Sequence, residues 1–79
     1  MDTTAATVRK VIAEVAAVDI ASVTDDTKLV DDLELDSIEL VNVAMDLEEV
    51  LDMEIPDSEL SAAMTVGQVI DAVKRLKGV

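Results

Sequence analysis

The chain has 79 residues, 18 Asp and Glu against 6 Lys and Arg for a formal net charge of -12, and no His, Cys, Phe, Trp or Tyr. Its length limits it to a single domain over 1–79 with a modest core. The missing Cys and His remove disulfides, thiolate metal sites and the commonest general base, and a surface at -12 with no stacking aromatic is repelled by nucleic acid. In chain order, Val8, Val11, Ile12, Val15 and Val18 recur at steps of three and four, which predicts helix one from about Thr4 to Ala17 with Thr3 or Thr4 as N-cap. From Asp19 to Asp36 the period dissolves into a polar stretch carrying Ile20, Val23, Leu29, Val30 and Leu33. So long a connection in so small a domain is either functional or packs down through its own aliphatics, and we expect the second.

Asp36-Ser37-Ile38-Glu39 opens the next segment with an Asp N-cap and a Glu three residues on, a capping-box start for helix two over Ser37 to Leu51. Ile55 precedes Pro56 and is therefore pushed out of the helical region. Pro56-Asp57-Ser58-Glu59-Leu60 then predicts one short helical turn reaching about Ala62. Thr65-Val66-Gly67-Gln68 is a second capping box, followed by Val69, Ile70, Val73 and Leu76 at helical spacing, with Lys74, Arg75 and Lys77 at the negative dipole end and Gly78 as the C-terminal cap. The sum is an all-α fold of three longer helices and one short one, a small bundle with a long first connection. No apolar run approaches the roughly 20 residues that span a bilayer. Met1-Asp2-Thr3 lacks the basic start of a secretory signal, so the sequence reads as cytoplasmic.

Helix two carries two apolar stripes. At about 100° per residue, Leu40, Val43, Ala44, Leu47, Val50 and Leu51 fall on one side and Ile38, Val41 and Met45 on roughly the other. Either the second stripe is partly exposed beside Asn42, Glu48 and Glu49, as a partner-docking surface, or it is core against the long connection. The sequence leaves both open. Glu48, Glu49 and Asp52 lie where the helix dipole disfavours negative charge, so they are either functional or simply a solvated face.

With Asp36 as the cap, Ser37 falls at the first helical position and its hydroxyl is left toward solvent, where backbone N–H groups and the positive dipole end welcome a phosphate ester. An Asp-Ser-aliphatic triplet alone arises in roughly one chain in ten of this length, so it carries little by itself. The run Asp31-Asp32-Leu33-Glu34-Leu35-Asp36-Ser37-Ile38-Glu39-Leu40, then Leu47-Glu48-Glu49, Glu54-Ile55-Pro56-Asp57 and Thr65-Val66-Gly67, resembles the successive landmarks of the acyl carrier proteins. Upstream, Val18-Asp19, Val23-Thr24 and Leu29-Val30 extend the likeness over nearly the whole chain.

The resemblance implies an antiparallel four-helix bundle whose serine, here Ser37 beside Asp36, bears 4'-phosphopantetheine taken from coenzyme A. It implies a non-catalytic protein that holds acyl groups as thioesters on that arm, the chemistry belonging to the prosthetic group. Helix two would be the recognition surface, through Ile38, Glu39, Val41, Met45, Glu48 and Glu49 with Asp57 after it. Partners would be a phosphopantetheinyl transferase and acyl-transferring and chain-elongating enzymes of fatty-acid, polyketide or related synthesis, with basic patches that meet a monomer's acidic rim in weak, salt-sensitive docking.

The chain departs from the family pattern in having Glu34-Leu35 where Gly-Ala or Gly-Leu often precedes the Asp-Ser pair, Asn42 where an acid often stands, and Leu51 for a usual Phe. An aromatic-free core of small aliphatics and Met repacks readily, a property suited to taking in a bound chain. The competing reading is an unmodified acidic helical interaction module, an adaptor or nucleic-acid mimic. A calcium loop starting at Asp32 would need Gly at its sixth and Glu at its twelfth position and finds Ser37 and Val43, so no metal site is assigned.

Overall fold

The structure, a computed structural model, describes residues 3–56, 60 and 64–78. Helix α1 spans Thr4–Ala16, α2 Ser37–Leu51 and α3 Val66–Lys77, and one 3-10 turn, Ile20–Ser22, interrupts the first connection. Extended pairing among the described residues is limited to a single antiparallel bridge between Lys28 and Thr65. The short helix predicted from Pro56 to Ala62 falls largely on residues outside the described set.

The starts of α2 and α3 follow from local chemistry. Asp36 caps the Glu39 N–H while the Glu39 side chain returns a bond to the Asp36 N–H, and Thr65 and Gln68 make the same reciprocal pair. Gly78 closes α3 at a φ of 80°, with Lys74, Arg75 and Lys77 in the last turn.

Helix α1 is marked more weakly. Thr3 stands at its cap position without a side-chain cap bond, and the buried Thr4 hydroxyl accepts from Lys77 Nζ at 3.0 Å instead. That contact sets the end of α3 beside the start of α1, so the two run antiparallel. The helix ends at Ala16, one residue short of the predicted limit, because Ala17 turns into the left-handed region at a φ of 59°. The N–H groups of Ala17 and Val18 there reach back to the carbonyls of Glu14 and Ala13.

The core lies between the three helices. Val8, Val11 and Ile12 of α1 meet Val43, Ala44 and Leu47 of α2 and Val66, Val69, Ile70 and Val73 of α3, all buried, and α1 packs on both other helices. Truncating a fully buried Ile12 or Leu47 to Ala costs about 2–5 kcal/mol, a large share of what a domain this small has.

The first connection packs down as expected, through Val23, Leu29 and also Leu35, while Ile20 stays half exposed in its 3-10 turn. Four backbone bonds fasten it. Leu29 N–H donates to Met64 C=O at 3.1 Å and Val66 N–H to Thr27 C=O at 2.8 Å; Gly67 N–H donates to Asp25 C=O at 2.9 Å and Leu35 N–H to Leu29 C=O at 3.1 Å. The chain entering α2 and the chain entering α3 therefore meet at one end of the bundle.

Three residues that helical spacing placed on apolar faces are exposed. Val18, beyond the end of α1, is exposed, as are Val50 and Leu76 at the trailing turns of α2 and α3. Helical spacing put them on the apolar faces, but none of the described elements covers them.

Two backbone positions give opposite stability tests. Ala17 sits where a Cβ is penalised, so Ala17→Gly relieves about 1 kcal/mol and raises the melting temperature by about 4–8 °C. At Gly67 an added Cβ meets the Asp25 carbonyl oxygen at 3.1 Å and its Cβ at 3.3 Å, against backbone held by a hydrogen bond, so Gly67→Ala lowers the melting temperature. Thermal melts followed by far-ultraviolet circular dichroism check both signs.

Candidate functional site

Ser37 is exposed at the first position of α2. Its neighbours complete the cap without it: Asp36 Oδ1 accepts from Glu39 N at 2.8 Å, and Glu39 Oε1 accepts from Asp36 N at 3.2 Å. Among the described residues the Ser37 hydroxyl makes no hydrogen bond, and the backbone N–H groups of Ser37 and Ile38 likewise have no acceptor. An oxygen free to be esterified thus stands beside two free donors at the positive end of a helix dipole, an arrangement that fits a phosphodiester.

A small open cleft of about 170 Å³ adjoins the serine, lined by Ser37, Leu40, Val41 and Leu60. It offers apolar surface directly beside the hydroxyl. Leu40 and Leu60 were not among the predicted site residues. Leu40 was legible, lying one turn after Ser37, whereas Leu60 comes near only because the chain returns after α2. A larger cleft of about 400 Å³ between α1 and α3, with Arg9, Asp25, Asp26, Gln68, Asp71 and Lys74 in its lining, contains none of the predicted site residues. Its charges are of mixed sign, and the exposed Arg9–Asp25 pair at 3.4 Å contributes little.

Of the two possibilities for the second stripe of α2, exposure is the one found. Ile38 is 72% exposed, Met45 57% and Val41 39%. Three large apolar side chains on one helical face are thereby left in water, beside Asn42 and Glu49, which are also exposed. No Lys or Arg occurs between Lys28 and Lys74, so the α2 face is acidic with no internal neutralisation. Asp57 lies outside the described residues.

Two of the acids at the end of α2 have structural work, which corrects the view that local stability does not explain them. Glu48 is half-buried, and its Oε2 accepts the N–H of the buried Ile55 at 3.0 Å. Asp52 terminates the helix in the left-handed region at a φ of 52°, a conformation Asp tolerates better than most residues. Glu49 is exposed and keeps the solvated or docking reading. Glu34, at a position where the sequence pattern of carriers often has Gly, also adopts a left-handed φ of 57°, a conformation Gly takes without strain and Glu does not.

No group of three or more acidic side chains is placed to hold a metal ion, and no helix is long and apolar enough to cross a membrane, among the described residues.

Residues 6–73 match the family described as "Phosphopantetheine attachment site". The chain is 35% identical over 71 residues to the acyl carrier protein of Thermotoga maritima, covering 90% of this chain and 88% of that protein. It is also 32% identical over 70 residues to the meromycolate extension acyl carrier protein of Mycobacterium leprae, covering 89% of this chain and 61% of that protein.

The two adjacent glutamates separate structure from surface. Glu48→Ala strands the buried Ile55 N–H and costs about 1–3 kcal/mol, whereas Glu49→Ala stays within about 0.5 kcal/mol of the parent. Urea midpoints of the two variants measure the difference; equal midpoints would show that the Glu48 to Ile55 bond contributes nothing.

Proposed function

Because this chain belongs to the acyl carrier protein family, whose members are non-catalytic and bear 4'-phosphopantetheine, we propose that Ser37 is the attachment residue and that Asp36 holds it at the head of α2. The observation that carries the reading is the free, exposed Ser37 hydroxyl, left out of a cap that Asp36 and Glu39 complete between themselves. The arm, taken from coenzyme A, supplies a terminal thiol on which acyl groups ride as thioesters. The protein's own residues present it. Ser37 and Ile38 N–H groups face the phosphate position, and Leu40, Val41 and Leu60 offer apolar surface beside it. The short helix over 56–62 would complete the four-helix bundle of the family.

On this reading the acyl groups pass to enzymes of fatty-acid, polyketide or related synthesis, and a cytoplasmic monomer meets them one at a time. Docking uses Ile38, Val41 and Met45 as apolar contacts and Glu39, Glu48, Glu49 and Asp57 as the acidic rim. A partner's basic patch is drawn to a face without a single cation of its own, which speeds encounter more than it tightens the complex. Three partly hydrated aliphatics give an interface small enough to release quickly.

Incubation with coenzyme A and a broad-specificity phosphopantetheinyl transferase, followed by intact mass, tests the attachment. The parent chain gains one phosphopantetheine and Ser37→Ala gains none. Gain of the group by Ser37→Ala, or none by the parent, overturns the assignment and returns the chain to the unmodified interaction-module reading. In the same assay the transferase KM for the apo chain rises several-fold between 50 and 300 mM salt if the acidic rim steers docking, and stays flat if it does not.

A further inference from the structure

Of the four methionines in the chain, Met53 and Met64 are half-buried and pack against the core, while Met45 stands 57% exposed on the outer face of α2. It follows Val41 by four residues and Ile38 by seven, so the three form one continuous strip. We propose that Met45 is a reversible oxidation site through which peroxides weaken partner docking, an inference that rests on the docking role given above to this strip.

The chemistry requires only a peroxide. The thioether lone pair attacks the distal oxygen, the O–O bond breaks, sulfur is oxidised by two electrons to the sulfoxide, and hydrogen peroxide leaves as water or an organic peroxide as an alcohol. Exposure sets the order of reaction, and among the described methionines the Met45 thioether is the most open to solvent. The product changes the strip rather than the fold. A flexible, polarisable group suited to adaptable apolar contact becomes a strong hydrogen-bond acceptor that resists burial against a partner's apolar groove. Because Met45 contributes little to the core, the sulfoxide leaves the bundle folded, and its reduction restores docking.

The test uses apo chain treated with hydrogen peroxide at the level where peptide mass mapping first finds one sulfoxide. Its readout is the KM of a broad-specificity phosphopantetheinyl transferase. The first oxygen falls on Met45, the thermal melt is unchanged, and KM rises about tenfold and returns after treatment with methionine sulfoxide reductases. In Met45→Leu, whatever its own starting KM, the ratio of treated to untreated KM is one. First oxidation at Met1, Met53 or Met64, an unchanged KM with Met45 fully oxidised, or an equal rise in Met45→Leu each overturns the proposal. An Ile38→Ala chain distinguishes the underlying reading: if its KM is unaltered, the strip does not dock and the failure is of that premise. A raised KM in Ile38→Ala with no effect of the Met45 sulfoxide is failure of the oxidation site alone.

Discussion

The serine end of this bundle depends on Leu29. Its side chain is fully buried, its N–H is bonded to the Met64 carbonyl, and its own carbonyl accepts from Leu35, the residue before the cap of α2. One residue in an otherwise polar connection thus fixes the approach to α2 against the approach to α3. The neighbouring bonds, Val66 to Thr27 and Gly67 to Asp25, are short and backbone-only. They satisfy donors at the start of α3 that would otherwise need water or side chains. Ordering a first connection of this length costs backbone entropy, which the bonds at both helix starts and the burial of Val23, Leu29 and Leu35 offset.

From that anchor the site follows by exclusion. Asp36 and Glu39 satisfy one another, so the hydroxyl between them has no structural duty. Leu40, Val41 and Leu60 line the cleft beside it. The prosthetic group of the family brings a reactive thiol to a protein that has no Cys or His of its own. On the proposed reading, the fold contributes a fixed root for the arm at Ser37 and a face for partners to read.

The acidic face carries a cost and a use together. Thirteen acids and no cation lie between Leu29 and Val73, and their mutual repulsion opposes the compact state. The cations are confined to α1, α3 and Lys28, so the molecule is electrically lopsided as well as negative. Strain is distributed in the same spirit. Ala17, Glu34 and Asp52 all hold left-handed backbone without being glycine, and two of the three, Glu34 and Asp52, flank α2. Glu48 adds to the negative charge of α2 and also secures the Ile55 N–H.

The sequence by itself determined what is settled within one helical turn. The reciprocal caps at Asp36 with Glu39 and Thr65 with Gln68, the Gly78 stop and the limits of α2 were legible because each depends on residues three apart. The charge and the absence of Cys, His and aromatic residues were equally plain. Only the tertiary structure decided which apolar residues are covered. Val50 was placed on an apolar face by its spacing and lies 60% exposed, whereas Leu35, not counted among the aliphatics of the first connection, is buried. Glu48 appeared as a charge against the dipole until the returning chain brought the Ile55 N–H to it. Periodicity names a face but not its neighbour, and burial belongs to the neighbour.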